Sequence, residues 1–217
     1  QETLWHEIAH VVHLQLTANR IPRWFAEGLA VYEAAHARSE WSMNMDLPMI
    51  RALQNNELLP LHEIDEGFTR RPEMVSLVYY QASQIIEFIA TRYGFAKVLA
   101  LLPHFRQGKK TEETIRLVFA QSAEEFDLAF HEFLRQRFHP EKLVIAGAKN
   151  SPLAKIFGNM LSSSDQDTGG DLRGRAESEP RDFLVALRYG KQLAKEGQTA
   201  EAERYLERAK NLLPAYV

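Results

Sequence analysis

Residues 3–18 read TLWHEIAHVVHLQLTA, a helical stretch whose apolar and polar side chains form two separate stripes along its length. The apolar stripe contains Leu4, Ile8, Val11 and Val12, and the polar stripe contains His6, His10, His13 and Thr17. A helix that is apolar on most sides is normally buried. We therefore expect this helix in the core of the fold, with imidazoles that need partners there.

The segment HEIAH within this helix, residues 6–10, fits the H-E-x-x-H pattern. His6 and His10 lie one turn apart on one face, so both imidazoles can reach a single ion. Glu7 is turned to the neighbouring side, where it can reach a metal-bound water. The chain has no cysteine, so any metal must be held by His, Asp or Glu. The motif predicts one Zn²⁺ ion with two histidine ligands and a glutamate base. The alternative is a pair of solvated or hydrogen-bonded histidines.

A catalytic zinc site needs a further protein ligand and leaves one position open for water. The best candidate is Glu27 in WFAEGLAVY, residues 24–32, because a carboxylate in an apolar helix is unfavourable unless it is paired or coordinated. Its small neighbours allow a close approach to the first helix. A local cap or salt bridge is the alternative role. Weaker ligand candidates are Glu33, His36 and Glu40.

A third histidine ligand is not predicted, because the extended motif H-E-x-x-H-x-x-G-x-x-H fails in this sequence. Position 13 is histidine where that motif needs glycine, and position 16 is leucine where it needs histidine. His13 lies one turn beyond His10 on the same stripe. We expect it to be an outer partner of the site or, more simply, a histidine at its rim.

The rest of the chain also has helical patterns, and few windows show the two-residue alternation of a strand. A long helix is predicted at 72–93, closed by Gly94. Ser122 and Glu125 form a capping box at the start of a later helix. Helices are also predicted at 23–37, 95–105, 111–121 and 122–138, and residues 43–54 and 58–64 are predicted as short helices or loops. The sequence therefore predicts a mainly α fold.

The motif HEIAH and the later segment PRWFAEGLAVY, residues 22–32, resemble the gluzincin metallopeptidases, most of all the bacterial peptidase-MA-like group. That group carries a Pro-x-Trp-x-x-Glu-Gly-x-Ala-x-Tyr segment, and its glutamate, the third zinc ligand, maps to Glu27. Softer similarities extend the match to about residue 138. They are VYYQAS at 78–83, RYG at 92–94, SAEEF at 122–126 and FHEFL at 130–134.

The resemblance implies that residues 1–145 are the helical part of a zincin-like catalytic domain. That domain normally has a small sheet upstream of the zinc helix, and Gln1 lies too close to His6 to leave room for it. Because the chain opens at Gln1 instead of Met, we expect a piece of a longer protein that binds zinc yet cleaves poorly by itself. Thermolysin-like gluzincins have an Asp four residues after the third ligand. Here that position is Val31, so the outer partners of the two histidines stay open.

The resemblance also implies a zinc-dependent metallopeptidase that hydrolyses peptide bonds through a Glu-activated, zinc-bound water. Glu7 would take the proton of that water and pass it to the leaving amine. Related enzymes often supply an oxyanion donor from a downstream Tyr or His. Tyr79 is our choice and Tyr80 the second, although both could be ordinary core or surface residues. His62 and His104 are kept in reserve.

The composition changes after about residue 146, where a largely flexible linker is predicted over residues 146–182. Residues 183–217 then return to helical periodicity and resemble a single tetratricopeptide repeat, folded as a helical hairpin. The residues that carry this likeness are Gly190, Ala202, Leu206, Ala209 and Pro214. One repeat cannot bury its own face. It would pack on the catalytic part, continue further along the protein or bind a protein partner, and a generic hairpin is the alternative.

Composition narrows the function classes. A net charge of −3 gives no basic footprint for nucleic acid, and no apolar run approaches the roughly 18 residues needed to span a bilayer. The compartment is not fixed, and an extracytoplasmic location of the full-length bacterial protein stays open. The main alternative function is a non-catalytic interaction module with a vestigial or structural zinc site. A zinc hydrolase acting on a non-peptide amide is a minor one. An intact Glu7 favours the peptidase, because a structural site needs no base.

Overall fold

The computed structural model describes residues 1–70, 74–140 and 172–212. Within these ranges the chain is helical and has no β-strand, which confirms the predicted mainly α fold. The helices before residue 141 are α1 (Glu2–Thr17), α2 (Arg23–Ala37), a short 3₁₀ helix (Ser39–Trp41), α3 (Asp46–Asn55), α4 (Ile64–Arg70), α5 (Val75–Tyr93), α6 (Phe95–Arg106), α7 (Thr111–Phe119) and α8 (Ala123–Phe138). Those after residue 171 are α9 (Leu172–Ser178), α10 (Phe183–Lys195) and α11 (Thr199–Leu212). No helix among them is both long enough and apolar enough to cross a bilayer.

The chain divides into two compact units, Gln1–Met49 with Glu57–Arg137, and Ile50–Asn56 with Phe138–Val217. The first unit falls wholly within the predicted catalytic segment, residues 1–145. The predicted boundaries of that segment and of the linker stay predictions.

In the first unit, α2 packs against α1 and against α5, and α1 also contacts α6. Gly28 brings α2 and α5 close together, because a Cβ atom there would lie 2.6 Å from the carbonyl oxygen of Ala82. Large aromatic side chains fill the core of this unit, namely Trp24, Phe25, Phe88, Phe105, Phe126 and Phe130. The close packing fixes the position of α2, the helix that carries Glu27.

At the starts of two helices, side chains accept hydrogen bonds from backbone N–H groups that have no partner within the helix. The Asp65 carboxylate accepts a hydrogen bond from the backbone N–H of Trp24 at 2.7 Å, in the first turn of α2. The predicted capping box at the start of α8 is confirmed. The backbone N–H of Ser122 donates to Glu125 at 2.8 Å, and that of Glu125 donates to Ser122 Oγ at 3.1 Å.

The expectation that α1 is a core helix was wrong. Only His13 and Thr17 of its residues are buried, whereas Leu4, Ile8 and Val11 are 65%, 51% and 54% exposed. Within the described ranges, α1 packs against α2 and α6, its buried residues belong to the histidine stripe, and its apolar stripe stays exposed. Periodicity therefore identified the stripes correctly but not which of them is covered.

The second unit contains a helical hairpin formed by α10 and α11, and α9 packs against it. Its core consists of Ala176, Val185, Tyr189, Leu193, Ala202 and Tyr205. Gly190 allows close contact between the two arms, since a Cβ atom there would lie 2.9 Å from Leu206 side-chain atoms. The hairpin agrees with the predicted helical periodicity, and its assignment to the tetratricopeptide class stays a prediction.

The helix α9 departs from the predicted linker. Leu172 and Ala176 lie one turn apart, and both pack on the hairpin core, which explains why this polar stretch becomes helical. Further along the predicted linker, the buried Asp182 carboxylate caps α10 by accepting a hydrogen bond from the backbone N–H of Val185 at 3.0 Å. Residues 141–171, the remainder of that linker together with the end of the predicted catalytic segment, lie outside the described residues.

Candidate metal centre

Two adjacent helices bring His6, His10 and Glu27 to one point. His6 and His10 lie one turn apart on α1, and their Nε2 atoms are 3.0 Å apart. Glu27 on α2 places its Oε2 atom 3.1 Å from His10 Nε2 and 3.4 Å from His6 Nε2. Their side chains are 15–23% exposed, so the group is partly buried and still open to solvent. The three residues are those that the sequence predicted as ligands.

The spacing of these three atoms suits a tetrahedral cation. Ligand atoms about 2.0–2.2 Å from zinc at tetrahedral angles lie about 3.3–3.6 Å from one another. The separations of 3.0 to 3.4 Å are close to that range. A proton can bridge only one pair of these atoms at a time, whereas a cation contacts all three. Among the described residues, this is the one group of three or more His, Asp or Glu side chains with ligand atoms this close together.

The pKa values of His6 and Glu27 are shifted because these side chains lie so close together. The hydrogen bond with Glu27 raises the pKa of His6, against burial, which lowers it. Burial alone would raise the pKa of Glu27, but the hydrogen bond with His6 and the charges of His10, His6 and Arg23 lower it overall. The carboxylate is therefore held in its ionised form, which is the form that binds a metal.

Glu7 follows His6 directly on α1 and is exposed. Successive helix positions differ by about 100° around the axis, so its carboxylate flanks the histidine stripe without joining it. Glu7 is thus separate from the three converging side chains, as expected for a base that acts on a water instead of binding the metal.

Tyr79, the predicted oxyanion donor, is half-buried on α5 and is not one of the converging groups. Its ring packs edge-to-face on Phe68 at 5.0 Å. The Arg23 guanidinium lies over the same phenylalanine at 4.9 Å, and its Nε atom is 3.7 Å from Glu27 Oε1. Tyr79 is therefore linked to the metal centre through two intervening side chains.

Tyr80, the second choice for that role, is committed elsewhere. It is buried, and its hydroxyl donates a hydrogen bond to Asp46 at 2.6 Å. A buried hydroxyl whose proton is bonded to a carboxylate is less available to an oxyanion, so this contact favours Tyr79 over Tyr80, and the choice between them stays a prediction.

The two histidines kept in reserve as oxyanion donors lie in other surroundings. His62 is exposed beside Glu63, and the Nδ1 atom of His104 is buried without a hydrogen-bond partner. Of the weaker ligand candidates, His36 lies 3.8 Å from Glu87, and Glu40 lies 3.4 Å from Arg38. Glu33 is half-buried. None of them belongs to the group of His6, His10 and Glu27.

His13 is buried beside the centre, with its ring centroid 6.4 Å from that of His10. Burial and, to a smaller extent, the charges of His10 and His6 together lower its pKa from 6.5 to about 4. Its Nδ1 atom has no hydrogen-bond partner. His13 is thus a buried neutral imidazole, more enclosed than the rim histidine that the sequence suggested.

Two residues around the site were missed from the sequence. Arg23 contacts the Glu27 oxygen that faces away from the histidines, and their i, i+4 spacing on α2 was a usable signal. Asp65 caps the first turn of the same helix from a position 41 residues away. No local pattern could have revealed that second contact.

The fold and the site define a coarse class of protein, a helical domain with a His–His–Glu group that could hold a metal ion. The sequence profile of the Peptidase MA superfamily matches residues 1–136, well over half of the chain. The chain therefore belongs to the Peptidase MA superfamily. Searches of curated proteins and of solved structures gave no significant match.

Proposed function

We propose that this protein is a zinc-dependent metallopeptidase, with His6, His10 and Glu27 as the metal ligands and Glu7 as the general base. The observation that carries the proposal is the convergence of two imidazole nitrogens and one carboxylate oxygen at 3.0 to 3.4 Å. Two histidines and one glutamate are a ligand set of catalytic zinc, which keeps a further position for water or substrate. Membership of a peptidase superfamily supports the same reaction class.

The roles of the protein groups follow from their placement. Zinc bound here would supply a Lewis acid that lowers the pKa of a coordinated water and polarises the substrate carbonyl. Glu7 is exposed beside the ligands, so it can accept the proton of the attacking water and return it to the leaving amine. Arg23 holds the second oxygen of Glu27, which orients the carboxylate towards the histidines.

Tyr79 is retained as the proposed oxyanion donor. Of the two adjacent tyrosines, Tyr80 has its hydroxyl bonded to Asp46, whereas Tyr79 is half-exposed. Its ring contacts Phe68, the Arg23 guanidinium lies over Phe68, and Arg23 contacts Glu27. A donor at the oxyanion supports the tetrahedral intermediate of peptide hydrolysis.

Elemental analysis followed by a peptidase assay tests the function. We expect roughly one zinc ion per chain in the purified protein. Glu7→Gln should retain the metal but lose at least about a hundredfold of the peptidase activity, because a carboxamide cannot accept the proton. Metal binding with no hydrolysis of any peptide by the unmutated protein would instead favour the non-catalytic interaction module.

A further inference from the structure

A cavity in the first unit is lined by none of the three residues of the candidate metal centre. It has a volume of about 190 Å³, well above the roughly 15 Å³ that a single water needs. Its walls come from the second half of α2, from α5, from the segment after the 3₁₀ helix and from the end of α8. The function proposed above makes no use of its polar side chains.

Gln84 gives this cavity an unmet hydrogen-bonding group. The residue is 6% exposed and lines the cavity, and its Oε1 atom is buried with no hydrogen-bond partner. Buried side-chain acceptors are nearly always paired, and each exception needs an explanation. A ligand in the cavity that carries an N–H donor would provide the missing partner.

Neighbouring hydroxyls cannot provide that donor. The hydroxyl of Ser83 donates to the backbone carbonyl of Tyr80 at 2.8 Å. The hydroxyl of Tyr80 itself donates to Asp46 at 2.6 Å. Because each hydroxyl has only one proton, neither can donate it to Gln84 or to a ligand in the cavity. The cavity therefore selects a ligand that is rich in donors.

The charged wall of the cavity contains the Glu87 carboxylate and the Arg137 guanidinium, and a ligand cation would bind at the Glu87 oxygen nearer to His36. Glu87 Oε1 accepts a hydrogen bond from Thr91 at 3.2 Å and lies 3.4 Å from Arg137, whereas its Oε2 atom faces His36 Nε2 at 3.8 Å. That last distance is too long for a direct hydrogen bond. When the neutral imidazole donates its Nδ1–H to the carbonyl of Tyr32 at 2.9 Å, Nε2 is also an acceptor. A donor from a ligand fits between these two acceptors.

An aromatic surface completes the cavity. The rings of Tyr32 and His36 stack at 3.9 Å, and both residues line the wall. Tyr32 lies between His36 and the nearly parallel ring of Phe95 at 6.0 Å, so the stack offers a cation the outer face of the His36 ring. We propose that this cavity binds the ammonium or guanidinium group of a lysine or arginine side chain in the peptide substrate.

This inference rests on the proposed peptidase function, because the cavity lies along the same helix as the proposed ligand Glu27. Val31 and Ala35 line the cavity and follow Glu27 by one and two turns on α2. At a rise of 1.5 Å per residue, Ala35 lies about 12 Å along the helix from the ligand. An extended peptide advances about 3.3 Å per residue. The basic residue therefore lies within about four residues of the cleaved bond.

Binding can be measured without cleavage. The protein is the zinc-loaded Glu7→Gln variant, and the probes are a fluorescent peptide with one arginine and its twin with citrulline, which keeps the shape and removes the charge. We expect the arginine peptide to bind at least about tenfold more tightly, the ratio that a hydrogen bond to a charged group supports. Equal binding of the two peptides, or no binding of either, overturns the proposal.

Variants of the cavity residues test whether the preference for the arginine peptide depends on the cavity. Adding Glu87→Gln or Gln84→Leu should reduce the arginine preference to about twofold or less, with zinc content unchanged. Glu132→Gln, an exposed carboxylate of α8 outside the cavity, is the matched control and should retain it. Two cavity variants are used because Gln84→Leu alters a buried position. Full discrimination in both cavity variants contradicts the proposal.

Two further measurements separate the possible outcomes. A peptide series with the arginine moved along the chain should show one preferred position. If free N-acetylarginine amide binds as tightly as the arginine peptide, the cavity is a small-molecule site and the substrate assignment is overturned. Cleavage by the zinc-loaded protein with Glu7 intact is scored independently. Hydrolysis without arginine preference removes only this inference, whereas arginine preference without hydrolysis removes the peptidase and the substrate assignment and leaves a cavity that binds a basic peptide side chain.

Discussion

The two oxygens of the Glu27 carboxylate have different neighbours, and this division explains how a single residue on α2 completes the site. Oε2 faces the imidazoles of His6 and His10, and Oε1 faces the guanidinium of Arg23. The Arg23 side chain is 45% exposed, so solvent weakens this ion pair. Its main effect is to orient the carboxylate, whereas the metal affinity depends on the ligand oxygen.

Replacement of Glu27 tests the ligand set. Glu27→Ala should lower zinc affinity by more than the roughly 10–100-fold that loss of an outer partner causes, because the ligand atom itself is removed. Zinc content after dialysis measures the effect. Glu33→Gln, on the same helix, is the control and should bind zinc normally. Unchanged zinc content in Glu27→Ala would exclude this residue from the site.

His13 predicts a pH dependence of stability. Its pKa of about 4 in the folded protein lies below the ordinary value of 6.5, because burial disfavours the charged imidazolium. Between these values the unfolded chain binds more protons, so stability present above about pH 6.5 is lost as the pH falls towards 4. The shift corresponds to at most about 3 kcal/mol.

Denaturant unfolding across this pH window, with a chelator present, checks the prediction. His13→Leu should flatten the pH dependence, because leucine fills similar space and does not titrate. The exposed His62 provides the control, and His62→Gln should keep the slope of the unmutated protein. A slope that is identical in His13→Leu would mean that His13 is protonated as easily in the folded protein as in the unfolded chain.

At the scale of the elements, the predicted parts of the site are those whose causes are local. The i, i+4 spacing of His6 and His10 fixes their common face on α1, and the apolar surroundings of Glu27 mark it as a partnered carboxylate. By contrast, the hydroxyl of Tyr80 is bonded to Asp46, 34 residues away. Periodicity contains no information on such a contact, so Tyr80 could not be set aside from the sequence.

The segment 58–64, which the sequence left open as a short helix or a loop, shows the same limit. In the structure the helix α4 begins at Ile64, and the preceding stretch uses distant side chains for its backbone hydrogen bonds. The backbone N–H of Leu59 donates to Gln81 at 3.2 Å, and that of Leu61 donates to Asp127 at 3.1 Å. These tertiary partners replace the helical ones, and intrinsic propensity could not have predicted them.

Gly28 provides the prediction at this scale. Gly28→Ala should favour the α2 helix by about 1 kcal/mol through propensity. The added Cβ atom would nevertheless meet the Ala82 backbone oxygen at 2.6 Å, so α2 and α5 must separate. We expect the free energy of unfolding to fall by about 1–3 kcal/mol. Zinc binding should also weaken, because Glu27 directly precedes Gly28. Unfolding midpoints measure the loss, with the exposed Ala37→Val as control. A gain in stability would contradict the close approach of the two helices.

At the scale of the whole molecule, the sequence predicted helical content better than organisation. The helical class follows from periodicity along the chain, and the hairpin of α10 and α11 follows from its spaced small residues. The exposure of the apolar stripe of α1 depends on which elements cover it, and α9 is helical because Leu172 and Ala176 pack on the hairpin core. Both outcomes are properties of tertiary packing.

The metal centre joins two helices of the first unit, so metal binding should stabilise that unit. A ligand that binds only the folded state adds about 2.7 kcal/mol at a concentration one hundred times its Kd, and about 4.1 kcal/mol at one thousand times. All three tryptophans, Trp5, Trp24 and Trp41, belong to this unit. Their fluorescence therefore reports the unfolding transition that zinc should shift.

Thermal unfolding followed by tryptophan fluorescence, with added zinc or with a chelator, measures this linkage. The midpoint should rise with zinc concentration and fall on chelation in the unmutated protein and in Glu7→Gln, since Glu7 does not belong to the converging group. In Glu27→Ala the midpoint should no longer respond to zinc, because the contact that joins α2 to the histidines of α1 is missing. A midpoint that responds equally in all three proteins would place the bound zinc somewhere other than between α1 and α2.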